Sequence, residues 1–565
     1  PSLFWTVVAA LVSTSSCGCP GELLYNGICL PSAWPPRIAL SRTPTTPPYL
    51  TFPPAVVNIT IGRQLFVDEG FILDTDLSKN YKLEHHAPEY ASNNPVLKPD
   101  QPWELGGNDT DHAFASAFSG GMFWDAPKKH YKLWYRCGNY EAVKHCLATS
   151  IDGITWDKPD LGVVPGTNIV LDEKYDGCTV WIDTDESDPS KRYKMAAVDA
   201  DTHYSGYTLF ISSDGIHWNT ALNTTAAIAD RSTVFYNPFR DKWVFSIKKN
   251  YFDWHNPEQL GRSRLYWEAS DFSSPGDWQA AGGAFNWTNA DDLDPKVGCG
   301  ASSGGNGFTQ LYNLDAVAYE SLIVGLFSIF TGKSCGEASP FNRTGEWDSV
   351  FVGYSRDGFH WTRPVIDGLH RVFLPMSDTP APPWVWNKAN VQSVGGGFVL
   401  PDAPCNASRL RFYVGARSGP FQIDGNATTG YAEMRRDGFA SVVGGRLVTR
   451  PLVFSHGSEL FVNVMSDQDS PITVEVMSGD GSASLAISTP IAVDSTQLQV
   501  QWTVPFDVSS LRDTSFRLSF SLAETARVYS FWASSSCGHS QGYVAGGGPQ
   551  FPSNRDDGVQ CQQGS

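Results

Sequence analysis

Three acidic residues stand beside apolar or aromatic neighbours that can change a carboxyl pKa. Asp183 follows an apolar stretch, so its carboxylate is predicted to emerge at the edge of a buried strand, where loss of water shifts the pKa. Asp230 precedes Arg231 and a second apolar stretch. Glu104 adjoins Trp103, and an aromatic neighbour can raise the pKa of a glutamic acid until it serves as a general acid. Carboxyl groups with different pKa values permit acid-base catalysis.

Each of these residues also has a structural interpretation. Asp183 could form a turn together with Asp185 and Asp188. Asp230 could belong to a structural ion pair, and Glu104 could lie on a solvated loop. The sequence leaves both interpretations open for all three residues.

A recurring motif indicates the elements that position these carboxylates. The motif is a serine, an aspartate, a glycine and a following tryptophan, and it occurs at 150–156, 213–218 and 355–361, with looser copies at 270–278 and 436–439. The copies are spaced roughly 60 to 85 residues apart, and a recurring unit of this size indicates a repeat architecture. The motif aspartate is predicted to form a turn by accepting hydrogen bonds from backbone amides.

Each full copy of the motif follows a segment of alternating apolar residues, such as 131–135 or 207–211. Alternation predicts a strand, and Asp-Gly is a strong hairpin signal. Strands, turns and tryptophans repeated five times predict the blades of a β-propeller. The first strand of each blade, nearest the central channel, is predicted at 113–123, 178–183, 232–236, 308–312 and 392–399.

From about residue 441 the motif disappears and short alternating strands predict a β-sandwich. The predicted fold is therefore all-β, a five-bladed β-propeller followed by a C-terminal β-sandwich. The predicted divisions are a signal-peptide region (1–19), a Cys-containing piece with a Pro/Thr-rich linker (20–55), the propeller (56–440), the sandwich (441–533) and a poorly ordered, Gly-rich polar tail (534–565).

Composition restricts the partners of the chain. The formal charge of −18 and the low pI argue against nucleic acids and anionic membranes, because a phosphate-binding surface needs clustered Lys and Arg. A strongly anionic substrate would need a local basic pocket. The sequence does not indicate an oligomeric state.

Several features predict passage through the secretory pathway. Residues 3–11 form an apolar run typical of a signal peptide, too short to span a bilayer. Asn-x-Ser/Thr sites, which are glycosylation acceptors in secreted proteins, stand at Asn58, Asn108, Asn223, Asn286, Asn342, Asn406 and Asn426. The 11 cysteines suit an oxidising compartment. Cys137 and Cys146 flank a predicted hairpin, and Cys537 and Cys561 could fasten the tail.

The chain resembles the five-bladed propeller glycoside hydrolases, the superfamily that contains families 32 and 43, and comes nearest to secreted family-32-like proteins. The matching stretches are Arg63-Gln64-Leu65-Phe66-Val67-Asp68, Asn94-Pro95-Val96-Leu97 with Pro102-Trp103-Glu104, Ala229-Asp230-Arg231-Ser232, Gly261-Arg262-Ser263-Arg264, Gln310-Leu311-Tyr312-Asn313 and Arg435-Arg436-Asp437-Gly438-Phe439-Ala440-Ser441. Three motifs of family 32 are missing from this sequence: Trp-Met-Asn-Asp-Pro-Asn-Gly, Arg-Asp-Pro and Glu-Cys. Activity on sucrose or fructan is therefore not expected.

The resemblance implies hydrolysis of glycosidic bonds in an extracellular oligo- or polysaccharide by two carboxyl groups at the channel. The implied catalytic residues are Asp183, Asp230 and Glu104, and the implied substrate-binding residues are Asp111, Arg231, Arg262, Tyr312 and Glu320. No cofactor is expected, although the resemblance allows a calcium ion in the channel, for which no ligand set can be identified. Arg262 and Arg264 could bind a carboxylate or sulfate of a sugar, or could pair with acidic residues across their hairpin.

Two other functions remain open at this point. The propeller could be a non-catalytic carbohydrate-binding or adhesion protein, since a fold does not establish an activity. It could also be a sialidase-like enzyme, because the recurring motif is close to the repeat of those propellers. The spacing between Asp and Gly differs from that repeat by one residue, and a sialidase also needs three channel arginines and a Tyr/Glu pair.

Overall fold

The computed structural model of the chain describes residues 18–105, 112–199, 206–251, 260–295, 309–330, 348–377, 385–402, 408–418, 425–535, 537–544 and 546–557. Most of its regular structure is β-strand, which confirms the all-β prediction. The helices are short and include α1 (Pro48–Thr51) and the 3₁₀ turns Pro189–Lys191 and Val508–Leu511. Within the described ranges, none of the helices has the length and apolar character needed to span a membrane.

Four short strands precede the repeating part of the chain: β1 (Val57–Asn58), β2 (Gln64–Leu65), β3 (Lys82–His85) and β4 (Glu89–Tyr90). The first repeating set contains β5 (Phe114–Asp125), β6 (His130–Gly138), β7 (Val143–Ser150) and β8 (Ile169–Leu171). The second set contains β9 (Tyr175–Ile182), β10 (Tyr193–Asp199), β11 (Tyr207–Ser212) and β12 (Asn219–Leu222). Consecutive strands within both sets are antiparallel.

Three further sets follow. The third contains β13 (Thr233–Asn237), β14 (Lys242–Tyr251), β15 (Gly261–Ala269) and β16 (Phe285–Asn289). The fourth contains β17 (Gln310–Glu320), β18 (Leu322–Phe330) and β19 (Asp348–Ser355), then the small hairpin β20 (Val365–Ile366) and β21 (Leu369–His370), and β22 (Val372–Leu374). The fifth contains β23 (Ala389–Gln392), β24 (Phe398–Val399), β25 (Arg409–Arg417) and β26 (Ala427–Arg435), and β4 pairs with β26 at its edge.

The first strands of the five sets, β5, β9, β13, β17 and β23, overlap the five first strands predicted from the sequence. Neighbouring first strands contact one another. Ser119 on β5 pairs with Cys178 on β9 in parallel, and Thr233 on β13 donates a hydrogen bond to the Leu314 carbonyl on β17 at 2.7 Å. We call the side at which these five strands begin the entry end and the side at which they finish the exit end.

The recurring motif forms the same turn in three copies. The Oδ1 atom of Asp152 accepts hydrogen bonds from the amides two and three residues later, both at 2.8 Å, and Asp214 and Asp357 do the same at 2.8 to 2.9 Å. The following glycine has a positive φ in each copy, at 69°, 76° and 82°, which a residue with a side chain adopts at a cost. The motif aspartates are therefore turn residues, as predicted.

The C-terminal strands form a separate sheet with its own apolar core. They are β27 (Ala440–Val448), β28 (Leu452–Val453), β29 (Glu459–Met465), β30 (Ile472–Ser478), β31 (Ser484–Ile487), β32 (Ser495–Gln499) and the long β33 (Phe516–Ser534). The N-terminal strands β1, β2 and β3 pair with β28, β33 and β27. This pairing differs from the predicted division at residue 56, because residues 57–85 join the C-terminal sheet.

The tail was predicted to be poorly ordered, but its described residues pack against the rest of the chain. β34 (Tyr543–Val544) pairs with the final residues of β17. Tyr543, Val544 and Phe551 are buried, so the apolar residues of the tail cover the exit end of the fourth set. Disulfides join Cys19 to Cys29 and Cys137 to Cys146, and Cys561 lies outside the described residues.

Candidate active site

Asp183 and Asp230, predicted as partners, lie at opposite ends of the first strands. Asp183 directly follows β9 at the exit end, and its carboxylate pairs with Lys194 at 2.8 Å. Asp230 shortly precedes β13 at the entry end. Asp176 on β9 marks the entry end of the same strand, and the seven residues from it to Asp183 span about 23 Å at about 3.3 Å per residue. The two predicted carboxylates are therefore too far apart to flank one glycosidic bond.

Asp230 lies in a compact group of charged and aromatic side chains. Lys248 Nζ donates to Asp230 Oδ1 at 2.7 Å and lies 4.3 Å from the ring centroid of Tyr312. The Tyr312 hydroxyl is 3.4 Å from Asp230 Oδ2. Burial alone would raise the pKa of Asp230, but the charges of Lys248 and Arg262 outweigh it and hold the pKa below its usual value. The Asp230 carboxylate is therefore ionised at neutral pH.

Arg262 and Tyr312, both predicted to bind substrate, are brought to Asp230. The Arg262 guanidinium lies 5.7 Å from the ring centroid of Tyr312 and 4.8 Å from that of Phe330. Its Nη1 donates to Gln310 Oε1 at 3.1 Å. Arg264 differs from Arg262, because it is fully buried beneath the site and donates to the Arg231 carbonyl at 2.7 Å.

Arg231 adopts a left-handed backbone conformation with φ of 57°, which is uncommon for a residue with a long side chain. Its guanidinium lies 3.3 Å from the ring centroid of Phe118 on β5. Its Nη2 donates to Gln392 Oε1 on β23 at 3.2 Å. Arg231 thereby connects the first strands of the first, third and fifth sets, beside Asp230.

Glu104 and Glu320, two other predicted site residues, are buried elsewhere. Glu104 accepts hydrogen bonds from the Tyr135 hydroxyl and from Lys158 Nζ, both at 2.7 Å, and from the amides of residues 100 and 101. It therefore fastens the 100–105 segment to the first set. Its adjacency to Trp103 gave no information about these partners.

Glu320 is the last residue of β17, at the exit end. It pairs with Arg436 at 3.0 Å and accepts from the amide of Arg63 at 3.1 Å and the hydroxyl of Ser540 at 2.5 Å. These partners come from the N-terminal segment, the start of the C-terminal sheet and the tail, so Glu320 joins parts of the fold. Asp111, the remaining predicted residue, lies outside the described residues.

Several residues at the entry end were not identified from the sequence. They are Arg136 on β6, Asp176 on β9, Lys248 on β14 and Arg417 on β25. Asp176 was missed because it precedes Gly177, and Asp-Gly indicates a turn, so the first strand was predicted to begin at Cys178. The others stand towards the ends of second or third strands, and the pairing of those strands within each set, not their own sequence neighbours, brings them to the entry end.

Asp183 borders a separate cavity of about 270 Å³ at the exit end, also lined by Glu186, Lys194, Tyr236 and Asp241. Lys194 pairs with Asp183 at 2.8 Å and with Glu186 at 3.0 Å, so these two carboxylates of the cavity share one cation. Across the described residues, no group of three or more His, Cys, Asp or Glu side chains has the arrangement of a metal site. The channel calcium stays a prediction from the resemblance.

No family model matches the chain, and no curated protein is similar enough to match it. Among solved structures, a glycosyl hydrolase from Bacteroides ovatus is similar at 12% identity with a TM-score of 0.39, over 62% of this chain and 94% of that one. A fructofuranosidase from Schwanniomyces occidentalis, complexed with fructosylnystose, is similar at 11% identity with a TM-score of 0.34, over 77% of this chain and 98% of that one. A structure from the GH130 family of mannoside phosphorylases is similar at 12% identity with a TM-score of 0.38, over 62% of this chain and 94% of that one. Function therefore has to be inferred from the residues at the site.

Proposed function

We propose that the five strand sets are the blades of a five-bladed β-propeller and that the C-terminal sheet folds as a β-sandwich. Three contacts support the ring: β5 with β9, Thr233 on β13 with Leu314 on β17, and Ser393, which directly follows β23, with Asp315 on β17 at 2.6 Å. The pairing of β4 with β26 supports closure, because a strand from before the first blade completes the last one.

We propose that this propeller is a glycoside hydrolase that cleaves glycosidic bonds of an extracellular oligo- or polysaccharide. The observation that carries the proposal is Asp230, an ionised and partly exposed carboxylate at the entry end, in contact with Lys248 and Tyr312. An ionised carboxylate beside the scissile bond is the nucleophile or base in this chemistry.

Glycoside hydrolysis also needs a second carboxyl group. We assign this place to Asp176, because it lies at the entry end, its charge acts on Tyr312 as that of Asp230 does, and it also acts on Arg231. Its side chain is 23% exposed, so a sugar can reach it. Asp176 replaces Asp183 and Glu104 as the expected partner of Asp230.

The test is sugar release from a panel of aryl glycosides and plant or algal polysaccharides by the purified full chain. Asp230→Asn keeps the size of the side chain and removes its charge, so it should lower kcat by at least about 100-fold while the thermal unfolding curve stays that of a folded protein. Asp176→Asn should also lower kcat strongly. Wild-type rates in a folded Asp230→Asn variant would contradict the proposal.

A non-catalytic carbohydrate-binding protein is the second candidate. The observation in its favour is the short Asp230 to Lys248 ion pair, which also suits a structural role. A folded wild-type chain that releases no sugar across the panel, yet retains glycans on an array, would establish this function instead.

We also propose that the chain passes through the secretory pathway. The apolar N-terminal run, the seven acceptor sites and the two disulfides support this. Expression in a eukaryotic secretory host should yield a glycosylated product in the medium whose mass falls after enzymatic deglycosylation. Retention of an unglycosylated chain inside the cells would contradict it.

A further inference from the structure

Three arginines from different strand sets meet at the entry end, beside Asp230. Arg136 is on β6, Arg231 precedes β13 and Arg417 ends β25, and we call them the arginine cluster. Their exposed fractions are only 6%, 2% and 4%. Removing a guanidinium from water costs free energy unless an anion or hydrogen-bond acceptors replace the water. A group of three buried arginines therefore requires compensation.

Aromatic rings supply part of that compensation. The guanidinium carbons of Arg136 and Arg417 lie 4.7 and 5.0 Å from the ring centroid of Phe114, and both also face Tyr140. Arg231 stacks on Phe118 at 3.3 Å. Such cation–π contacts fix the orientation of the three guanidinium planes but do not neutralise their charge.

Neutral acceptors supply a further part, since Arg231 donates to Gln392 at 3.2 Å and Arg417 to the Gly425 carbonyl at 3.4 Å, and carboxylates supply little. In the described part of the chain, Asp176 is the one carboxylate within 4 Å of the cluster, at 3.7 Å from Arg136. The Nε atoms of Arg136 and Arg231 are buried without a hydrogen-bond partner. Burial lowers the pKa of Arg231 and of Arg417, and the nearby charge of Arg136 lowers both further. Positive charge is thus concentrated at one place on a chain whose formal charge is −18.

The cluster adjoins the proposed reaction site, and one of the rings that it faces is exposed to solvent. Arg231 follows Asp230 in sequence, and its charge acts on Tyr312, which contacts Asp230. Tyr140, which faces two of the three arginines, is 39% exposed. Asp230 and the arginine cluster are therefore neighbours at the entry end.

From this arrangement we propose that the arginine cluster binds the oxyanion of an acidic sugar, a carboxylate or a sulfate, so that the substrate is an anionic glycan. A guanidinium holds its N–H donors in one plane, so two of them can bond to two oxygens of the same carboxylate or the same sulfate. That the bound glycan is a substrate rests on the proposed function, but binding of the glycan does not require hydrolysis.

The experiment is affinity electrophoresis of the full chain through gels that contain alginate, a sulfated galactan or the neutral glucan laminarin. Alginate presents carboxylates and the galactan presents sulfates, so the two gels distinguish the sources of the oxyanion. A parallel array that carries sialosides tests the sialidase-like alternative. We expect retardation by at least one anionic glycan, reduced by added salt, and little retardation by laminarin.

Variants connect this binding to the cluster. Arg231→Met and Arg417→Met should each weaken binding to the retained anionic glycan by at least about tenfold. Arg409→Met is the matched control, because Arg409 begins the strand that Arg417 ends and is half exposed. Arg231→Lys keeps the positive charge, so it should bind the glycan more tightly than Arg231→Met. This comparison separates loss of the charge from a folding defect.

Two outcomes would overturn the inference: equal affinity for neutral and anionic glycans, or unchanged binding by both folded methionine variants. Asp230→Asn separates this inference from the proposed function, because it should retain anionic glycans while failing to cleave them. Arginine-dependent binding by a wild type that cleaves nothing would support the inference and contradict the hydrolase.

Discussion

Lys248 Nζ lies 2.7 Å from Asp230 Oδ1, and both groups contact Tyr312. Burial lowers the pKa of Lys248 to about 8, although the charge of Asp230 opposes that shift. The ion pair is therefore complete at neutral pH and loses its positive partner at only slightly higher pH. The electrostatic environment of the proposed catalytic carboxylate thus depends on pH near the physiological range.

We expect kcat/KM for sugar release to fall as the pH rises through about 8, because the neutral amine no longer compensates the Asp230 carboxylate. Lys248→Arg should move this loss to higher pH, since a guanidinium stays protonated. The measurement is the pH profile of kcat/KM for both proteins from about pH 5 to about pH 10. Superimposable profiles would contradict the role given to Lys248.

The loss of activity should not reflect unfolding through Lys248. An unfolded lysine has a pKa of about 10.4, so between about pH 8 and about pH 10 the unfolded chain holds more protons at this position than the folded chain. Stability contributed by this group therefore rises with pH in that window. Thermal unfolding recorded at the same pH values checks that the protein is still folded where the activity declines.

Replacing Glu320 should destabilise the fold, because this residue joins parts of the chain at the exit end, away from the proposed reaction site. Glu320→Gln removes the anion that Arg436 and Arg63 share, while each arginine keeps a second carboxylate, Asp556 and Asp437, so the free energy of unfolding should fall by about 1 to 3 kcal/mol. Asp172→Asn is the control, because Asp172 pairs with Lys144 at the surface, and it should cost at most about 1 kcal/mol. Denaturant unfolding measures both. Equally small losses of unfolding free energy in both variants would show that Glu320 is not needed to join these parts of the chain.

The motif aspartates should differ in importance according to burial. Asp357 is buried and accepts from the amides of residues 359 and 360, so Asp357→Ala leaves these donors unpaired and should cost about 1 to 3 kcal/mol. Asp152 makes the same bonds at the surface, where water can replace it, so Asp152→Ala should cost less. Denaturant unfolding of both variants checks the order, and the reverse order would contradict it.

Acid should weaken the attachment of the tail. Burial would raise the pKa of Asp556, but hydrogen bonding to His539 and the charge of Arg436 hold it well below its usual value. Its contribution to stability is therefore present above about pH 4, near the pKa of an unfolded aspartate, and is lost as the pH falls further. Asp556→Asn should make unfolding less sensitive to pH in this range. An unchanged acid dependence would contradict the assignment.

The repeating strands could be predicted because their information is local. Alternation with period two and an Asp-Gly turn are recognisable within about ten residues, and four of the five predicted first strands overlap the observed ones by several residues, whereas the fifth shares only Gln392 with β23. The pairing of β1, β2 and β3 with the C-terminal sheet could not be predicted, because it joins residues almost 400 positions apart, as in Leu452 with Val57. The burial of the tail has the same cause.

The candidate site was predicted only in part. Asp230 was identified because it precedes an apolar strand, and Arg231, Arg262 and Tyr312 were implied by the family resemblance. Asp183 directly follows the first strand of the second set, as predicted, but Asp230 precedes its strand, so the two carboxylates lie at opposite ends of the first strands. Arg136, Arg417 and Lys248 reach the site through side chains from second and third strands, and their own sequence neighbours do not reveal this.

The central claim is that hydrolysis takes place at the entry end, and a comparison of Asp230→Asn with Asp183→Asn tests it most directly. Both variants remove one aspartate charge that pairs with a lysine, at 2.7 Å for Asp230 and at 2.8 Å for Asp183, but at opposite ends of the first strands. On the glycan that the wild type cleaves fastest, Asp230→Asn should lose at least about 100-fold in kcat while Asp183→Asn stays within about threefold of the wild type. Loss of activity in Asp183→Asn with near-normal rates in Asp230→Asn would contradict the claim and place the reaction at the exit end.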